Sequence, residues 1–344
     1  MKMRYRITAL ALACSVAVVL PASLFAGGRA EEGTEVYRIT AGIGLNDQSA
    51  QYESLVFFQN LVETRSDGRI QMEIFHSSQL GDDREMMEAL QRGEQEMTCP
   101  STAPIAPFVP EFGVFDLPFL FPSYGAADYV LDSEVGQQLL DSLSDIGIKG
   151  LVFWENGYRH LTNSARAVSS PEDVSGMRVR TMENTMHLDA WRAMGANPTP
   201  MAFGELFSAM QQRVVDGQEN PWGTIYLQNF PEVQGYATDT GHVYSPFVLM
   251  IGQQFWDRLP SDLQEITMQA AIEARDFNRE LNRRYNAEYL EQLKSVMTVV
   301  ELTPEQRQEF QNAVQPIYQQ YADTVGRELL DSVVTMIEEY MARN

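Results

Sequence analysis

The sequence predicts an α/β protein built of two lobes and crossed by one long helix. Three observations predict it. At 344 residues the chain is long for a single domain. Its first third alternates strand and helix signals in the order βαβαβ, which calls for a parallel sheet with helices on its faces. Near residue 260 a start signal opens a helix that continues to about Lys294, roughly 50 Å at 1.5 Å per residue, long enough to cross from one lobe to the other.

Taken in order, Tyr37 to Ile43 is rich in strand formers. Ser49 to Thr64 places Tyr52, Leu55, Phe58, Leu61 and Val62 at helical spacing, and Ser66-Asp67-Gly68 stops it. Ile70 to Phe75 alternates as a strand. Asp82-Asp83 suits the opening of a helix carrying Met86, Met87 and Leu90, which Gly93 ends before a short strand, Glu96 to Cys99. The proline-rich stretch from Pro104 to Pro122 reads as a buried, extended crossing segment. Glu134 to Asp145 is helical. Strands are expected at Ile148 to Trp154, Arg166 to Val168 and Met177 to Thr181. Asn184 to Met194 is helical, Pro198-Thr199-Pro200 breaks the chain, and a helix follows over Gly204 to Arg213. Met87 to Gln91 and Phe207 to Gln211 share an order of residue types, each before a short acidic strand, an echo that would make the two halves alike. After a strand at Phe247 to Gly252, Pro260-Ser261 with Gln264 supplies a capping-box start for the long helix, with Ser261 as N-cap. Thr303-Pro304 starts a helix over Glu305 to Tyr321, and Thr324 to Ala342 closes the chain.

The first 26 residues stand apart. Lys2, Arg4 and Arg6 precede an apolar run, Ile7 to Leu20, and small residues follow up to Gly28. That is the pattern of a cleaved secretory signal, too short for a stable span. Its removal takes three of the 25 basic residues and none of the 47 acidic ones, so the net charge goes from −22 to −25. Such a field repels nucleic acid and anionic membrane and argues against both as partners. Cys99 alone would remain, so an exported chain without an internal disulfide relies on its core.

Enzyme and cofactor signatures are missing. Gly42-Ile43-Gly44 follows a strand, but the third glycine of a dinucleotide loop would fall on Asp47. There is no phosphate loop, no Gly-x-Ser-x-Gly elbow, and His76, His160, His187 and His242 show no metal-ligand spacing. The chemistry concentrates instead between Gly157 and Trp222. Arg159 and Arg180 lie near predicted strands, and a guanidinium presents a planar fork that matches a carboxylate with two parallel hydrogen bonds. Pairing with the abundant Asp and Glu is the competing reading. Alternation puts Arg178 and Arg180 on one face, so spacing does not choose between them. The strand's C-terminal end, where open α/β sheets bind ligands, favours Arg180. Asn220 can donate and accept beside a carboxylate, or serve the turn it follows. Phe203 and Trp222 could flank an apolar face of a ligand or belong to the core. His187 could face a cleft or the helix surface.

Asp173 to Arg180 and Val215 to Pro221, with Ser77 to Asp83, Asp116 to Phe119, Gly157 to Arg159 and Gly195 to Met201, resemble the DctP-type solute-binding proteins of tripartite ATP-independent periplasmic (TRAP) transporters. The resemblance spans nearly all of the mature chain. It implies a periplasmic-binding-protein-like fold: two hinged lobes about a ligand cleft, lobe I over 34–156 and about 246–285, lobe II over 157–245 and about 286–344. It also implies capture of a small organic acid in the periplasm, without cofactor or catalysis, and delivery to membrane permease subunits. Arg180 is similar to the family's carboxylate clamp, Arg159 to its second arginine, Asn220 to the neighbouring amide and Phe203 to the ring on the ligand. Asn46, Asp83 and Ser101 sit where the first lobe would contribute. The sialic-acid branch carries charges after the strand at 96–99, where this chain has Cys99 to Pro104. That leaves a smaller hydroxy acid, a dicarboxylate or a sugar acid, bound by a monomer. A sensor component would use the same pocket with a different partner.

Overall fold

A computed structural model describes residues 35–344. The expected export signal lies outside the described residues. The first half is β1 (Tyr37–Gly42), α1 (Ala50–Arg65), β2 (Ile70–Phe75), α2 (Asp83–Arg92) and β3 (Met97–Thr98). These strands are parallel in the order β2-β1-β3. Asp82 caps α2: its carboxylate accepts from the Glu85 amide at 2.9 Å, and Glu85 returns the bond at 3.0 Å. Asp83 is thereby fixed on the first turn of α2.

A one-turn helix, α3 (Thr102–Ile105), and a 3₁₀ segment, Pro110–Asp116, carry the proline-rich stretch. Phe112, Phe115, Leu117 and Phe121 within it are buried in the core as expected, but much of the stretch is wound into these helical turns and is not extended. Next come α4 (Tyr124–Leu131), which the spacing did not predict, and α5 (Glu134–Ser142).

Two long strands, β4 (Ile148–Asn163) and β8 (Tyr236–Gly252), pair antiparallel and join the halves. The expected end of β4 at Glu155-Asn156-Gly157 does not occur. Register shifts at Gly150/Val152, Glu155/Gly157 and Arg159/Leu161 bend the strand without ending it. Gly157 serves this bend with φ of +112°, a conformation that side chains disfavour.

Between the long strands lie β5 (Arg178–Thr181), α6 (Thr185–Ala193), β6 (Asn197–Pro200), α7 (Leu206–Gln211), β7 (Gly217–Asn220) and α8 (Trp222–Leu227). Their strand order, β6-β5-β7, repeats β2-β1-β3, so the halves share one topology, as the helix echo suggested. The expected strand at Arg166 to Val168 is irregular instead. Pro198-Thr199-Pro200 belongs to β6, which pairs with β5 alone among the described strands; an edge strand tolerates residues lacking an N–H.

The chain closes with a short α9 (Gln253–Trp256), α10 (Ser261–Val296), β9 (Thr298–Val300) beside β8, α11 (Pro304–Val325) and α12 (Arg327–Arg343). Pro260, not Ser261, is the N-cap of α10, and no side chain caps it. Proline holds the extended conformation the cap position needs, and Ser261 becomes the first helical residue. The 36 residues of α10 run past both halves. Leu263, Ala270, Ala271 and Ala274 pack in the core around β1–β3, and Leu293 packs in the one around α7, α8 and β9. Among the described residues no helix is long and apolar enough to cross a membrane.

Candidate functional site

A cavity lies where the two halves face each other. From the first half it is lined by Gly44, Gln51, Ser78, Asp82, Asp83, Arg84 and Ser101, and from the second by Arg159, Arg180, Glu183, Met201, Phe203 and Asn220, with Asn156 at the crossing.

Arg180 stands on β5 between Gln218 of β7 and Thr199 of β6. It is 2% exposed, whereas Arg178 at the strand's outer end is exposed and ion-paired with Asp216. Entry of β5 from surface to interior therefore separates two arginines that alternation left equivalent. Nε and Nη2 of Arg180 donate to the Met201 carbonyl at 2.9 and 2.7 Å. Nη1 is buried without a partner, and no carboxylate lies within ion-pair distance among the described residues. Burial lowers its pKa to about 10, with Glu219 opposing and Arg159 adding to the shift.

Arg159, on β4, has no exposed surface. Its Nε and Nη2 are held by the Glu219 carboxylate, with Nη2 also donating to the Glu219 carbonyl at 2.6 Å and to Asn220 Oδ1 at 3.1 Å. Nη1 is again buried and unpartnered. Burial works against the charge of Glu219, yet the Arg159 guanidinium and the His242 ring, 3.2 Å away, hold its carboxyl well below the usual range. Arg159 is thus matched locally by an anion, and Arg180 is not.

Asn220 spends Oδ1 on Arg159 and donates from Nδ2 to Gln218 Oε1 at 2.5 Å. Phe203 lies beside Arg180, its ring centroid 6.0 Å from the guanidinium carbon. Ser101, the N-cap of α3, accepts from Asn156 Nδ2 at 3.3 Å. Burial pushes the Asp83 carboxyl up to about 7, opposed by a hydrogen bond from the Ser101 backbone and by attraction to Arg180.

Two expected residues are elsewhere. Trp222 follows Pro221, which turns the chain out of β7 into α8, and its ring stacks on His160 at 4.0 Å and 6°, in a separate groove with Tyr158 and Arg283. Asn46 is absent from the lining: its Nδ2 donates to the Leu227 carbonyl at 2.9 Å, tying the loop after β1 to the end of α8. His187 is also buried away from the cavity, its Nε2 lying 3.2 Å from Asp116 Oδ1. Sequence reasoning missed Gln51, Asn156 and Glu183. Gln51 carried a signal, since it falls four and seven residues before Leu55 and Phe58, a polar side chain on the apolar stripe of α1.

Among the described residues no cluster of His, Cys, Asp or Glu could hold a metal ion. What this geometry offers is a cavity between lobes with unpartnered guanidinium nitrogens beside it, which is the form of a solute-capturing protein. Residues 41–324 match the bacterial extracellular solute-binding protein family 7, DctP, and the chain belongs to that family. A solute-binding protein of Verminephrobacter eiseniae is 39% identical over 292 residues, 85% of this chain and 87% of that protein. The sugar acid binding protein of Advenella mimigardefordensis, solved in complex with galactonate, superposes with a TM-score of 0.87 at 39% identity, covering 89% of this chain and 99% of that one. A TRAP periplasmic solute-binding protein from a Polaromonas species, bound to D-erythronate, gives 0.84 at 39% identity, covering 87% and 98%.

Proposed function

We propose that this protein captures a small organic acid in the cavity between its lobes and delivers it to the membrane permease subunits of a TRAP transporter. The observation that carries the reading is the pair of buried, unpartnered Nη1 atoms of Arg180 and Arg159 on one cavity wall. A ligand carboxylate would satisfy both. Asn220, Phe203, Ser101 and Asp83 complete the contact set, and hydroxy acids, sugar acids and dicarboxylates are the candidate ligands. Support comes from family membership and from relatives whose solved structures hold galactonate and D-erythronate.

In this reading the lobes, 34–156 with about 246–285 and 157–245 with about 286–344, close on the ligand and exclude water. The carboxylate contact strengthens as the local dielectric falls, and the permease recognises the closed form. The protein works as a monomer in the periplasm after loss of its N-terminal signal, and it returns its ligand chemically unchanged. Calorimetry tests the clamp. Arg180→Ala should weaken binding of the protein's organic acid by about 3–5 kcal/mol, the cost of removing one partner of a buried charged pair. Unaltered affinity would refute the clamp, and recovery of a converted ligand would make the protein an enzyme.

A further inference from the structure

The hydrogen-bonding capacity left over in the cavity is divided by polarity. The spare groups of Arg159 and Arg180 donate. Those of the opposite wall accept. Gln51 commits Nε2 to the Cys99 carbonyl at 2.7 Å, which fixes Oε1 as the remaining atom, and Oε1 is buried without a partner. Asp83 is met by the Ser101 backbone amide, and among the described residues neither Asp83 nor Glu183 has a cation within ion-pair distance.

Charge is divided by group and not by wall, because Glu183 lines the cavity from the same half as Arg180. Glu219 matches Arg159, so Arg180 is the cation left for a ligand. Arg84 also lines the cavity, but it pairs with Glu88 at 3.1 Å and lies over the Phe108 ring at 5.8 Å. Against Arg180, the one cavity-lining cation without an ion-pair partner among the described residues, stand Asp82, Asp83 and Glu183. Asp83 and Glu183 line the same cavity as Arg180, so a ligand held by Arg180 lies among all three.

We infer that Asp83 and Glu183 set the ligand class, so that the cleft selects polyhydroxylated monocarboxylates and rejects dicarboxylates of similar length. The inference rests on the organic-acid reading above and narrows it. Hydroxyl groups donate to Asp83, Glu183 and Gln51 Oε1 while the carboxylate takes the arginine donors. A second ionised carboxylate has no proton to donate, and it meets like charge with no cation to offset it.

Calorimetry at pH 8 with D-galactonate, D-erythronate and succinate tests this on the wild type, on Asp83→Asn with Glu183→Gln, and on Arg180→Ala. The wild type should bind at least one of the two sugar acids about 100-fold or more tighter than succinate, the scale of one uncompensated like-charge contact. The double variant should bind that sugar acid more weakly and succinate more tightly, narrowing the ratio to about 10-fold or less. A structural lesion would weaken all ligands together, so opposite movement separates specificity from damage, and circular dichroism confirms folding. Succinate binding as tightly as both sugar acids in the wild type, or an unchanged ratio in the folded double variant, overturns the inference. If Arg180→Ala meanwhile loses every ligand, the clamp reading stands while the class assignment falls. If the wild type binds none of the three, both fall.

Discussion

At the scale of single residues, the site depends on which polar atoms remain after the fold has taken its share. Arg180 and Arg159 each use two nitrogens internally and keep one. Asp83 carries a second consequence. Its carboxyl titrates near 7 in the folded chain and near 4 when unfolded. Between those values the folded state holds a proton that the unfolded state has released, so stability falls as pH rises across the interval, and the penalty is constant above it. Asp83→Asn removes the penalty. Without ligand the variant should melt above the wild type at pH 8, with the gap narrowing toward pH 4. Thermal melts at both pH values check this, and equal melting at pH 8 would contradict it. The arginines were legible because a guanidinium in a strand of an acidic protein is conspicuous. Trp222 was misleading because aromatic character says nothing of direction: two residues past Asn220, across Pro221, the ring lies on His160. Asn46 was misleading because a loop amide serves a main-chain carbonyl as readily as a ligand.

At the scale of elements, α10 is fastened to β4 and to the start of α8 by amides at four-residue spacing. Asn278 Oδ1 accepts from the Glu155 amide at 2.7 Å, Asn282 Nδ2 donates to the Asn156 carbonyl at 2.9 Å, and Asn286 Oδ1 accepts from the Gly223 amide at 2.9 Å. The first two bonds satisfy backbone groups beside the β4 bulge at Glu155/Gly157, and the third satisfies an N–H in the first turn of α8. Asn278→Leu strands the buried Glu155 N–H, and chemical denaturation should show a loss of about 1–3 kcal/mol. No loss would mean that the backbone finds another acceptor. The helix itself was readable from its start signal, although its N-cap is Pro260 and not the expected Ser261. The continuity of β4 was not, because Glu155-Asn156-Gly157 has turn composition and the partners that keep it extended lie more than 100 positions away on α10. The same applies to β6, whose prolines suit an edge position that only the finished sheet defines.

At the scale of the whole molecule, the two halves repeat one strand order, and the acidic surface surrounds an interior that is cationic on one wall. The overall field repels an approaching organic anion, and only local donors attract it. Added salt screens the long-range repulsion more than the buried contact. Raising ionic strength from about 10 mM to about 300 mM should therefore speed association severalfold, the reverse of the usual salt effect on a positive site. Stopped-flow fluorescence with an aldonate checks this, and slower association at high salt would contradict it. Composition made the sign of this field legible from the start, whereas the inversion inside the cavity depends on residues far apart in the chain.

The guanidinium of Arg180 is aimed by a main-chain oxygen, that of Met201. Replacing the Met201 side chain leaves that oxygen in place, so the aim of the proposed clamp resists point mutation in a way the side-chain acceptors around it do not. Directed evolution toward new cargo should therefore leave position 180 untouched and gather its changes at 51, 83 and 183, retuning appetite while the anchor holds.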